Sequence, residues 1–322
     1  MTYRTLVTCA ARPANPTCWV DYHAVMTVDT LPLPTYDDAT VVVPAPDAGP
    51  GNWSGAASAV LVDGVFWLTY RVRRPLTEGR GVAVVVARSE DGVAFEPVTE
   101  VHRETFGCES FERPVLSPVP GGGWRLYLSC ATYDSKHWWV DSLTAPTPEE
   151  LPTGHQQVVL PGSATVAVKD PVVEHPTRPG EEWVMWLCCH PLTEPGHEDR
   201  MTTRRLTSVD GLAWTDRGEV LAGRPGRWDA RGARVTTVLT HDPLTVLYDG
   251  RPDAASNWHE TTGVARWDGT RLVAVDDEPI SSPYSDGAWR YAAAVPLPDG
   301  RTRFYVEAAR PDGAHDLVTL VR

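Results

Sequence analysis

Several charged residues stand where an interior built only for packing would place small or apolar side chains. Glu112-Arg113-Pro114, Lys169-Asp170-Pro171, Arg231 through Arg234 and Arg290-Tyr291 each open a short apolar segment, and Asp229 lies just ahead of one of them. Carboxylates and guanidiniums gathered at one opening shift each other's proton affinities and aim hydrogen bonds at a polar guest, the equipment of acid–base chemistry on small hydrophilic molecules. A second charged group closes the segments that follow: Arg71, Asp134, His190, Asp249, Arg251, Glu307 and Arg310. These charges cooperate only if the fold brings both groups to one place.

The segments that must do so are hairpins. Glu112-Arg-Pro-Val-Leu-Ser-Pro-Val turns at Gly121 to Gly123 into Trp124-Arg-Leu-Tyr-Leu-Ser-Cys130, β-branched and aromatic runs around a tight turn. Four relatives turn at Asp63-Gly64, Pro179-Gly180, His241-Asp-Pro243 and Asp299-Gly300. With Ala57, Pro114, Pro171, Arg234 and Tyr291 as equivalent positions, the spacings are 57, 57, 63 and 57 residues. That period is the length of a propeller blade. Two matching turns, Ser89-Glu-Asp-Gly-Val-Ala-Phe95 and Ser208-Val-Asp-Gly-Leu-Ala-Trp214, end third strands. The chain leaves room for one strand after the fifth hairpin, His315 to Val321, so Thr40-Val-Val-Val-Pro44 is expected to complete the last blade and close the ring. The expectation is an all-β, five-bladed β-propeller over residues 39–322, with residues 1–38 as a Pro-interrupted arm packed on it.

In a propeller the head of each inner strand and the tail of the next strand meet at the same mouth. The residues expected there to bind substrate are Trp53, Arg71, Arg113, Lys169, His190, Arg231, Arg234, Asp249, Arg251, Arg290 and Tyr291. Trp53, Trp138, Trp228, Trp258 and Trp289 are expected near the rim, where indoles stack on sugar rings.

A formal net charge of -13 argues against nucleic acid or an anionic membrane as partner. No long apolar run is present, and the N-terminus lacks the core of a secretory signal, so a cytoplasmic protein with a small-molecule substrate is expected. The six Cys follow no metal-type spacing and read as reduced, mostly buried thiols. No cofactor or metal site is expected, since no nucleotide loop or ligand cluster occurs.

Five blades, charges before Pro at strand heads and Ser-x-Asp-Gly-x-x-aromatic turns resemble the furanosidase-type propellers of glycoside hydrolase families 43, 32 and 68, and the mannoside phosphorylases of family 130. Gly226-Arg-Trp-Asp-Ala-Arg-Gly-Ala-Arg234, Tyr248-Asp-Gly-Arg251 and Arg310-Pro-Asp-Gly-Ala-His-Asp316 resemble an actinobacterial glycosidase-like set. The resemblance implies catalytic carboxylates at the heads of the first three inner strands, where this chain instead has Ala56, Arg113 and Lys169. It also implies, for the phosphorylases, a single protein acid with bound phosphate as nucleophile and basic residues holding the anion. On that footing Asp170 is the expected general acid, held extended by Pro171 with Lys169 diverging to the other face. Glu112 is its expected partner, Asp229 the next choice and Glu307 a reserve. Three readings stay open: a carbohydrate-active enzyme that cleaves or phosphorolyses the glycosidic bond of a small, possibly anionic glycoside; a catalytically silent glycan- or metabolite-binding propeller; or a propeller recruited for non-glycosidic chemistry on a natural-product intermediate.

Overall fold

The computed structural model describes residues 31–34, 38–280 and 289–322. The chain divides into two compact units, Met1–Leu31 and Pro32–Arg322. The expected arm, with Trp19, Asp21 and His23, lies almost wholly outside the described residues.

The larger unit is all β, in sheets of four antiparallel strands. Trp53–Val62, Val65–Arg73, Gly81–Ser89 and Glu96–His102 form one meander, and three more follow in chain order over Val115–Leu160, Val166–Leu221 and Ala233–Ala274. The remaining set joins Ala293–Pro296, Thr302–Ala309 and His315–Val321, and its outer strand is Thr40–Val43, paired antiparallel with His315–Val321. A single parallel bridge, Trp53 to His315, links this set to the first meander. The hairpin chemistry is local. Asp63 and Gly64 both take positive φ, 49° and 81°, the conformation a two-residue turn needs to match the twist of its strands. Between the sheets lie buried apolar clusters, such as Val84, Phe111, Leu126 and Leu143 on one side of a sheet and Tyr127, Val168, Trp183 and Met185 on the other.

The turns at residues 89–95 and 208–214 are built alike. Asp91 Oδ1 accepts the N–H groups of Val93 and Ala94 at 2.8 and 2.9 Å, and Asp210 does the same for Leu212 and Ala213. Each turn docks onto the neighbouring sheet: Tyr305 Oη donates to the Gly92 carbonyl at 3.0 Å, and Tyr127 Oη to that of Gly211 at 2.8 Å. Gly92 and Gly211 take positive φ, 73° and 72°, which other residues rarely adopt, and a Cβ there would also fall 2.7 or 2.4 Å from the guanidinium of Arg303 or Arg125, so both positions favour glycine.

The inner strands carry the feature that shapes the site. Pairing register breaks between Gly55 and Ser58 and between Lys169 and Val172, and Ala56, Asp170 and Tyr291 sit in the left-handed region with φ near 50°. For non-glycine residues that conformation is strained and persists only where neighbours over-determine it. Side chains from other strands provide the hold. Glu307 accepts the Ala56 N–H at 3.1 Å, Asp249 the Tyr291 N–H at 3.0 Å, and the Ser129 hydroxyl the Asp170 N–H at 2.9 Å.

Candidate functional site: a cationic funnel at the heads of the inner strands

The kinked strand heads surround a cavity of about 310 Å3. Eight of its lining side chains are Lys or Arg and four are Asp or Glu, an inversion of the chain's overall charge. Arg234 is the hub. Its two terminal nitrogens reach Asp170 at 2.9 Å, Asp249 at 3.0 Å, Glu260 at 3.0 Å and the Tyr291 hydroxyl at 2.9 Å, and its guanidinium lies 4.0 Å from the Tyr291 ring centroid. Glu260 in turn holds Arg251 at 3.2 Å and Arg290 at 3.1 Å. Glu112 is paired with Arg71, with Arg80 at 3.1 Å and with Lys169 at 3.9 Å. The Tyr291 hydroxyl points toward Asp170 at 3.3 Å and Glu112 at 3.5 Å.

These pairings set the protonation states. Burial works to raise Glu260, but three guanidiniums outweigh it and hold the carboxyl at about 2. Asp170 follows the same pattern: burial opposes, Lys169 and Arg234 prevail, and the carboxyl is held well below its ordinary range. Burial, with repulsion from Arg71 and Arg80, lowers Arg73 to about 9. Lys169 is lowered to about 8 by burial, with Asp170 opposing and Arg234 and Arg80 adding to the shift. His190 is brought to about 3 by burial and Lys169; its Nδ1 lies 2.6 Å from the Glu198 carbonyl, so it is a neutral ring.

Of the residues expected at the mouth, Trp53, Arg71, Glu112, Lys169, His190, Arg234, Arg251, Arg290 and Tyr291 line this cavity. The others do not. Arg113 is buried beneath the site, donating to the carbonyls of Thr236 and Ala292 from other sheets, so it ties the axis together. Asp249 and Glu307 serve as the strand-head braces described above. Arg231 forms a two-point pair with Asp199 at 2.7 and 2.9 Å, and it is Asp199 that faces the cavity. Asp229 lies on a separate cavity, held by Arg224 and the Tyr248 hydroxyl at 2.8 Å each.

The expected role of Asp170 needs correction on two grounds. Pro171 does not keep it extended: its φ is +50°, and the strand bulge there removes the two-residue alternation that was to separate it from Lys169. The two side chains meet, Lys169 Nζ lying 3.5 Å from Asp170 Oδ2. A fully buried carboxyl kept ionised by two cations is not a proton donor near neutral pH. Trp53 is also engaged: the His315 ring stacks on it at 4.2 Å between centroids, and the Arg73 guanidinium lies 3.9 Å from its ring centroid. It is not free to stack on a sugar. Trp138 lines the cavity beneath Lys169 and Arg80, whereas Trp228 stacks on Tyr248 away from it. The side chain of Trp258 lies outside the described residues.

Among the described residues no group of three or more His, Cys, Asp or Glu is placed to hold a metal ion. No helix of the described chain is long and apolar enough to cross a membrane. Cys108, Cys130, Cys188 and Cys189 are buried free thiols.

No family profile and no curated protein sequence matches this chain. Solved structures do. An α-L-arabinofuranosidase from Lactobacillus brevis superposes with a TM-score of 0.62 at 12% identity, covering 84% of this chain and 90% of its own. The β-1,2-mannobiose phosphorylase of Listeria innocua, solved with β-1,2-mannobiose, gives 0.57 at 14%, covering 90% and 93%. A structure from the GH130 family of mannoside phosphorylases, which contains hydrolases targeting β-1,2-mannosidic linkages in Candida mannan, gives 0.57 at 16%, covering 89% and 95%. The fold is that of propeller glycosidases and phosphorylases.

Against that propeller frame, Arg73, Arg80, Glu260, Lys136, Glu198 and Asp199 are lining residues that the strand-head pattern missed. Arg73 and Arg80 flank the loop after the first returning strand, and Glu260 precedes a third strand. Trp258 is expected near the rim from the sequence, but nothing in the Asn257-Trp-His-Glu-Thr-Thr-Gly263 stretch marks Glu260 as the clamp of three arginines.

Proposed function

We propose that this protein is a carbohydrate-active enzyme of the propeller type whose funnel takes a small anionic glycoside, or a neutral glycoside beside a phosphate ion. The ring is read as five blades, closed by Thr40–Val43 on His315–Val321. The carrying observation is the charge inversion, eight basic against four acidic side chains around one cavity in an acidic protein. Guanidiniums bind oxyanions through fixed forks of N–H donors, and low-dielectric walls strengthen the attraction. With Glu112, Glu260 and Asp199 committed to cations, a bound anion rather than a protein carboxylate is the fitting nucleophile. Glu198, half-buried on the rim and outside any ion pair among the described residues, is the carboxylate left to protonate the departing oxygen.

A screen of glycosides, neutral and acidic, with and without phosphate tests this. Expected is turnover of an acidic glycoside, or phosphate-dependent turnover of a neutral one, reduced by Glu198→Gln about a hundredfold or more. The same locked carboxylates favour one second reading, a binding protein without catalysis. Calorimetric binding of an acidic sugar with no product in either arm would establish that reading instead.

A further inference from the structure

Lysine is scarce in this chain. Of its 29 basic residues 27 are Arg, and the two Lys, Lys136 and Lys169, both line the funnel. Lys169 stands at the kink of its inner strand with 11% of its side chain exposed. Its Nζ lies 3.5 Å from Asp170, 3.9 Å from Glu112 and 4.9 Å from the Trp138 ring centroid. The other groups nearest its charge are Arg234, Arg80, His190 and Cys188. Every other cation named around these carboxylates is a guanidinium, which suits two-point pairing with a carboxylate and stays protonated. An amine at this buried position does what a guanidinium does not: it gives up its proton and attacks carbon. Burial beside Arg234 and Arg80 brings it to about 8, within reach of that state at neutral pH.

We propose that Lys169 is a nucleophilic amine that forms an imine with the carbonyl carbon of a small anionic aldehyde or ketone, the open-chain form of an anionic sugar being the natural case. The ammonium passes one proton to Glu112, Nζ adds to the carbonyl carbon, and the C–N bond forms as the carbonyl π electrons move onto oxygen. That oxygen takes up two protons, one returned from Glu112 and one lost from nitrogen, and leaves as water while the nitrogen lone pair closes the C=N bond; the one proton still on nitrogen makes the product the iminium. The net change is ammonium plus carbonyl to iminium plus water, with no oxidant or reductant. The inference rests on the reading that the funnel takes a small anion, and not on glycosidic-bond cleavage.

The test uses the full chain with glyoxylate as anionic aldehyde, propionaldehyde as neutral control and cyanoborohydride to trap the imine, the adduct being located by peptide mass mapping. Near pH 8 Lys169 is expected to label about tenfold or more faster than Lys136 with glyoxylate. Inorganic phosphate should slow that labelling, and propionaldehyde should show less preference. Lys136→Arg leaves Lys169 as the sole lysine and keeps a cation on the funnel lining, so the readout does not depend on a Lys169 variant folding. Labelling of Lys136 with Lys169 untouched overturns the proposal. If phosphate still raises the melting temperature in that case, the anion-binding reading survives alone. Trapping at Lys169 that is equal for both aldehydes and indifferent to phosphate overturns the anionic substrate class, and with it the reading of the funnel.

Discussion

The turns at residues 89–95 and 208–214 and the funnel both engage acidic side chains, exposed in the turns and buried in the funnel, and they satisfy them over different distances along the chain. Asp91 and Asp210 find their N–H donors within three residues. Asp170 takes Arg234 from 64 residues away and Tyr291 from 121, and Glu112 takes Arg71 from 41. Local satisfaction makes a turn that forms whatever surrounds it. Satisfaction across sheets makes a constellation that exists only once the sheets have assembled, where each charge depends on several others. The turns therefore belong to stability, whereas the funnel holds strained backbone and crowded cations in place, which is where function concentrates.

Removing the hub is the severest way to break this contrast. Arg234→Met should leave Asp170, Asp249 and Glu260 short of a shared cation, and loss of one partner in a buried pair costs about 3–5 kcal/mol. Urea unfolding checks it; a loss under about 1 kcal/mol would mean that the remaining arginines re-form the network.

Acid should come next. Glu260 and Glu307 are held at about 2 against an ordinary 4.5, burial being outweighed by the arginines around Glu260 and by His315, Arg290 and Arg71 around Glu307. Both bind protons less readily folded than unfolded. Their stabilisation is therefore complete above about pH 4.5 and is lost as pH falls toward about 2. Asp249, raised chiefly by burial, works against this slope, so the measured loss across that window should be a few kcal/mol rather than the full sum. A melting temperature that is flat from pH 5 to pH 2.5 would contradict the ion-paired funnel.

The mildest probe is at the turns. Tyr305→Phe and Tyr127→Phe each remove one hydrogen bond to a glycine carbonyl, with an expected cost of about 0.5–1.5 kcal/mol apiece. The two costs should match within error because the docks are built alike. Unequal values in denaturant melts would show that the dock between the last and first strand sets carries a different load.

The same contrast governs what could be read without coordinates. The hairpins, the two matching turns and the pairing of Thr40–Val43 with the last strand were legible because turn chemistry, β-branched runs and the 57-residue spacing are written locally. Strand heads do come together at one place, since Arg234, Arg290, Tyr291 and Lys169 line the same cavity. The roles went wrong where a bulge intervened. Alternation was the rule used to separate Lys169 from Asp170, and the register break between Lys169 and Val172 suspends it, sending the carboxylate into the axis and leaving the amine at the surface of the cavity. Arg113 occupies an equivalent head but reaches backbone carbonyls of other sheets, a contact no single-strand pattern encodes. Glu260 and Arg80 were missed for the same reason, because their importance lies in which distant cations or anions they meet.

The docked turns also divide the molecule's hairpin tips into two kinds. At Gly92 and Gly211 the backbone is pressed against a neighbouring arginine, whereas an added Cβ at Gly64, Gly121, Gly180 or Gly300 would meet nothing within 4 Å. The open tips are sites where a peptide tag, a fluorophore or new chain ends fit without disturbing the sheets, and the closed ones are not. A circularly permuted protein opened at Gly180 should fold and keep its funnel, and one opened at Gly211 should not.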